Sequence, residues 1–200
     1  MLVSAILAVV VVTSMTAWEA VSGDTDRSGP RLQRVVPTDT TPALIANDGK
    51  PNGTLIGEGR FFTMYVPANF RMASTRMPNG EQMTIIDAPS SKPATPVRLM
   101  VVPDTRPKGT ATQQSDTLKV KKQAEGVKDF TRSTVYWPGA QSAILLQWTG
   151  AGAKDKGQRT WKLMAQVNDH LIVNLDAVAP AAQFDKAGLV RIMESFRPHA

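Results

Sequence analysis

The runs AILLQWT (residues 143–149), RTWKLMAQV (159–167) and HLIVNLDAVA (170–179) decide the fold. Two apolar runs flank a third, alternating one. A turn of Gly, Ala, Lys and Asp separates the first from the second, and only Asn168-Asp169 separates the second from the third. Strands joined by such short polar turns pair with their neighbours in sequence, so the three runs read as an antiparallel meander.

Upstream, residues 60–66 place Phe62, Met64 and Val66 on one face and Phe61, Thr63 and Tyr65 on the other, a period of two built from strong strand formers. Pro67-Ala68-Asn69-Phe70 ends that strand. Pro78-Asn79-Gly80 then leads into residues 81–87, where Met83 and Ile85 share a face; Asn-Gly between strand-like runs is a hairpin signal. Residues 97–102 form a third strand, closed by Pro103-Asp104. A helix is expected near residues 116–128, capped by Ser115 or Asp116, with Leu118, Ala124 and Val127 turned inward and Gly126 weakening its end. Residues 130–137 resume extended structure, and Pro138-Gly139 turns the chain into the meander. Beyond it, Pro180 opens a second helix near residues 181–196, whose stripe is Phe184, Ala187, Leu189, Ile192, Met193 and Phe196; Pro198 stops it. Runs of strands with only two helices point to the α+β class, a twisted antiparallel sheet packed with two helices.

The chain has 200 residues, 42% of them hydrophobic, which suits one ordinary domain plus whatever the ends add. With no cysteine, a disulfide framework, a thiolate metal site, a cysteine nucleophile and a lipid-modified cysteine are all excluded. The formal charge of +6 and pI near 9.8 suit polyanionic surroundings, although most small basic proteins carry such a charge without an acidic ligand.

Residues 2–12 are almost wholly apolar, and no charge follows before Glu19. The run is near the short end of a membrane span of about 17–25 residues. Residues 1–22 are thus a signal peptide or an uncleaved membrane anchor, an apolar helix in either case. No Lys or Arg precedes the run, and its small-x-small sites are poor, since Ala17 follows Met15 and Ala20 follows Trp18. The missing basic flank suggests a start inside a longer reading frame. Residues 23–57, rich in Pro, Thr, Asp, Gly and Arg, read as a flexible, disordered linker, and residues 58–200 as the folded domain. Arg27, Arg31 and Arg34 beyond the apolar run would by themselves favour a cytoplasmic location for that side.

Three stretches carry a family resemblance: FFTMYVPANF (61–70), YWPGAQSAILLQWT (136–149) and GLVRIMESFRP (188–198). Together they resemble the PsbP-like fold, and within it the LpqN-type secreted domains of actinobacteria, over roughly residues 59–198. The resemblance implies an exported, envelope-located, mostly non-catalytic binding or accessory domain. Lacking the lipid-accepting cysteine, this chain cannot share the anchoring of the lipoprotein members, and no family site residue carries over.

Catalytic chemistry finds no pattern. His199 lies in the terminal tail, and His170 next to Asp169 is poorly placed for a triad, with no Gly-x-Ser-x-Gly elbow elsewhere. The carboxylates Asp155, Asp169, Asp176 and Asp185 are scattered, and no spacing suits zinc or calcium. The Gly-rich residues 150–157 lack Walker spacing and read as a turn. Catalytic residues, metal and cofactor are therefore expected to be none. As ligand-binding candidates Trp137, Trp148 and Trp161 could form a stacking platform, against the plainer reading of core packing. Lys119, Lys121, Lys122 and Lys128 could form a basic surface for an anionic polymer, against that of a solvated helix face.

The function expected from these features is a non-enzymatic binding, sensor or accessory module of the cell envelope, tethered to the membrane through its N-terminal segment or secreted. Its partner would be an envelope protein or anionic envelope polymer, and not nucleic acid. The alternative is a hydrolase of envelope polymer or lipid whose carboxylates meet only in the fold.

Overall fold

The computed structural model describes residues 53–57, 61–89, 91–152 and 155–200. Its elements are β1 (Thr54–Ile56), β2 (Phe62–Val66), β3 (Arg71–Arg76), β4 (Gln82–Asp87), β5 (Arg98–Asp104), α1 (Ala111–Ala124), β6 (Thr131–Val135), β7 (Ser142–Thr149), β8 (Gln158–Asn168), β9 (Leu171–Pro180), α2 (Ala181–Phe184), α3 (Leu189–Glu194) and β10 (Arg197–Pro198). The apolar residues 1–22 and most of the expected linker lie outside the described residues. Among the described residues no helix is long and apolar enough to cross a membrane.

Seven strands form one antiparallel sheet in the order β3-β4-β5-β9-β8-β7-β6, and β1-β2-β10 form a small second sheet. The meander is present as the pattern required: β7 pairs β8 from Ser142↔Gln166 to Thr149↔Arg159, and β8 pairs β9 with one register shift near the Asn168 turn. The hairpin between β3 and β4 closes through Met77 and Glu81, with Gly80 at φ 86°, a left-handed conformation that glycine adopts without strain. The class is α+β, with helices on both faces of an antiparallel sheet.

Register divides the large sheet into two faces. Val101, Leu175, Leu163 and Leu145 stand side by side on the first, joined by Val173, Ala177 and Ala165. This face is sealed by β2, α2 and α3, whose Met64, Phe184, Leu189 and Ile192, with Phe196 just beyond α3, complete the main core. The second face carries Val102, Asn174, Met164 and Ile144 in one row. Among the described residues α1 alone covers it, over β7 and β8, where Ala111, Ile144, Leu146, Trp148 and Ile172 make a smaller cluster with Val127.

Several expectations change. The first helix runs over Ala111–Ala124 rather than 116–128, because Thr110 caps it: its side chain accepts from the Gln113 N–H while the Gln113 side chain accepts from the Thr110 N–H, a reciprocal capping box. Ser115 is buried inside the helix instead of capping it, and Ala124 is exposed. The second helix is two short ones, broken where Gly188 takes φ 69°. In β4 Met83 and Ile85 share a face as expected, and it is the half-covered one, while Thr84 and Ile86 are buried. The sequence placed residues 23–57 in a linker, whereas Thr54–Ile56 pairs with β2 as β1.

Candidate functional site

Beside α1, no other described residues cover the second sheet face over β4, β5 and β9, and a trough runs there between helix and strands. Its first section is a groove of about 390 Å3 whose apolar parts include Met100, Val178, Leu118 and Trp148. Met83 and Ile85, half-buried on β4, extend the same apolar strip. The charges in this section are paired. Arg98 Nε lies 2.9 Å from Asp87, Lys162 Nζ lies 3.0 and 3.2 Å from the two oxygens of Asp176, and Lys122 Nζ lies 2.7 Å from Glu125 and 3.3 Å from Asp155. Burial alone would lower the Lys122 pKa, but its hydrogen bonds to Glu125 and Asp155 outweigh burial and hold it above the ordinary value. Its ammonium also sits 5.4 Å from the Trp148 ring centroid, near enough for a cation–π contact.

The trough's second section lies at the N-terminal end of α1. Here the β3–β4 hairpin tip and the β5–α1 connection wall a cleft of about 1060 Å3. Glu81 latches these walls together, Oε1 accepting from the Thr105 N–H (2.8 Å) and hydroxyl (3.2 Å) and Oε2 from Asn79 (2.7 Å). Asp104 likewise accepts from the Arg106 N–H and from Gln114 of α1, both at 3.2 Å. Both oxygens of each carboxylate are thereby committed to neutral wall donors.

The tryptophans do not assemble into one surface. All three are buried, at 4% exposure for Trp137, 6% for Trp148 and 5% for Trp161. Trp137 donates its indole N–H to the Phe196 carbonyl at 2.9 Å, and Trp161 packs on Phe184, both on the sealed side. Trp148 is on the other face, stacked on Phe130, and alone of the three lines the groove. The indole N–H groups of Trp148 and Trp161 have no partner among the described residues. Of the four lysines, Lys119, Lys121 and Lys128 are exposed, while Lys122 is drawn into the groove's ion pairs. His170 is exposed in the β8–β9 turn with Asp169 and lines neither section.

Among the scattered carboxylates, the fold brings Asp155 and Asp176 to the groove, each facing a lysine, and sets Asp185 3.7 Å from Arg159. Among the described residues no group of three or more His, Asp or Glu could hold a metal ion. The reading of the sequence missed Arg98, Met100 and Asn174. For Arg98 and Met100 the signal was present as a period-two row of Arg98, Met100, Val102 and Asp104 alternating with wholly apolar neighbours.

No protein-family model matches the chain, and no curated protein matches it in sequence. Among solved structures it is similar to cyanobacterial PsbP (CyanoP) from Synechocystis sp. PCC 6803, with 12% identity over 70% of this chain and 87% of that one and a TM-score of 0.49. At that level of likeness no function follows from it.

Proposed function

We propose that this protein is a non-enzymatic binding or accessory module whose apolar groove beside α1 receives a segment of a protein partner. One observation carries the reading: the sheet face next to α1 presents Met83, Ile85, Met100 and Val178 half-covered, while the charges beside them are paired within the domain. A groove with no surplus positive charge selects poorly for an anionic polymer, and an adaptable Met-bearing strip suits a peptide or helix face. The exposed Lys119 and Lys121 remain a solvated helix face, and Lys128 is exposed in the connection beyond the helix.

The setting we infer is the cell envelope, on the outer side of the membrane, with the apolar residues 1–22 as anchor or cleaved signal. That inference rests on the apolar run and on the secreted, LpqN-type character of the three sequence motifs. The hydrolase alternative needs two carboxyl groups free to act as acid and base or nucleophile. In the groove Asp155 and Asp176 are each engaged by lysine, and in the cleft Glu81 and Asp104 are engaged by wall donors, so binding is the reading better supported.

The test is photocrosslinking of the full-length chain in its own cells, with a photoreactive residue at Met100 and, as a control on exposed surface, at Tyr136. A distinct envelope protein captured from Met100 alone supports the reading. The same adducts from both positions, or cytoplasmic proteins only, would overturn it.

A further inference from the structure

Asn174 stands in the middle of an apolar strand, between Val102 of β5 and Met164 of β8, and is more than nine-tenths buried. Its Nδ2 donates to the Val102 carbonyl at 3.4 Å. Because a carbonyl can only accept, this contact fixes the orientation of the amide. Oδ1 is then left without a partner among the described residues. A buried acceptor with no donor destabilises a fold, so its retention calls for a reason. Asn174 lines the 1060 Å3 cleft, and Asn χ2 is a soft torsion, so a small turn of the amide presents Oδ1 to a donor there.

The remaining lining says what kind of molecule supplies that donor. Glu81 and Asp104 are balanced by Arg106 and Lys108, so the cleft has no net charge. The side chains of Arg106 and Lys108 have no ion-pair partner among the described residues, yet two carboxylates stand against any anion they might attract. Gln114 adds an amide from α1, and Val102, which pairs with Asn174 across the strands, adds a half-buried apolar wall. An uncharged ligand with closely spaced donors and acceptors and an apolar C–H face between them is a neutral saccharide. We propose that this cleft is a saccharide site, in which a sugar hydroxyl donates to Asn174 Oδ1, Arg106 donates to a sugar oxygen and the C–H face of the sugar ring lies against Val102. Groove and cleft share no lining residue, so the partner-protein reading and this one stand or fall separately.

The experiment is titration of the ¹⁵N-labelled full-length chain with maltose, cellobiose and chitobiose, with glycerol as a control polyol. A disaccharide is expected to shift the side-chain amide of Asn174 and the backbone of Thr105 and Arg106 saturably, without effect from glycerol at equal concentration. Asn174→Leu removes the orphaned acceptor; it is expected to weaken that binding by about tenfold or more while leaving the melting temperature unchanged or higher. Should Asn174→Leu fail to fold, Arg106→Ala in the exposed connection is expected to weaken binding in the same assay. The proposal is overturned if none of the three sugars shifts these residues, or if the folded Asn174→Leu or Arg106→Ala variant binds as tightly as the parent.

Discussion

The two faces of the seven-stranded sheet are made by the same strands, residue by alternate residue, and they are finished in opposite ways. On one, Phe184, Leu189, Ile192 and Phe196 close over Leu163, Val173 and Leu175 with almost no exposed surface. On the other, α1 turns few buried side chains toward the sheet, Ala111 and Ser115 with Leu118 half-covered, and leaves Val120 67% exposed. Polar contacts hold that helix instead: the Ala111 N–H to Gln166, Arg132 to Ser115 at 2.7 Å, and Lys122 to Asp155. A face closed by apolar burial is a source of stability, whereas a face tied down by separate polar contacts can open and bind. Function on this protein is therefore sought on the second face.

Truncation should separate the faces most strongly. Phe196 is fully buried, stacks obliquely on Phe62 at 5.8 Å and lends its carbonyl to Trp137. Phe196→Ala is expected to cost about 3–5 kcal/mol in urea unfolding. Met100→Ala, at a half-buried position in the groove, is expected to cost about 1 kcal/mol or less. Equal losses from the two variants would mean that the second face is as much a core as the first.

Local opening gives a finer distinction. Amide exchange in α1 is expected to proceed through openings at least about 2 kcal/mol below those that expose the central strands β8 and β9. The reason lies in the packing, since the strands are hydrogen-bonded on both edges and buried while most of the helix is not. Uniform protection across helix and strands would make α1 part of one cooperative unit with the sealed core.

The same contrast governs what could be read from the sequence. The meander and the Asn79-Gly80 hairpin were legible because their signals are local: a period, a short polar turn, a glycine free to take positive φ. The inward face of β4 was not. Met83 and Ile85 look like core residues, yet they line the open side, and Thr84 with Ile86 points into the core. Apolar residues on a half-covered face imitate a core pattern, so alternation alone cannot say which of two apolar faces another layer will cover. The start of α1 was legible in principle, since Thr110 and Gln113 have capping-box spacing, but Ser115 and Asp116 compete as caps in any local reading. Asn174 carried no local signal; its meaning depends on the Val102 carbonyl across the sheet and on a cleft walled by residues far apart in sequence.

The smallest expected effect concerns proton linkage, and it is confined to the open face. Lys122 loses some charge stability to burial, but donation to Glu125 and Asp155 more than restores it, so its folded pKa lies above the ordinary 10.5. A raised pKa means that the pair's stabilising contribution is fully present below 10.5 and disappears as pH rises through the folded value. Because this lysine joins the end of α1 to the β7–β8 turn and lies over Trp148, its deprotonation should loosen that corner of the groove. Trp161, beneath Phe184 on the sealed face and beside Arg159, has no lysine over its ring among the described residues. In an alkaline titration followed by the aromatic NMR signals, Trp148 is expected to shift with the Lys122 ionisation before Trp161 moves. Lys122→Met should abolish the early shift while leaving Trp161 as it was. Simultaneous movement of both rings, or an early Trp148 shift that survives Lys122→Met, would show that the ion pair does not hold the open face and that α1 is fastened by packing after all.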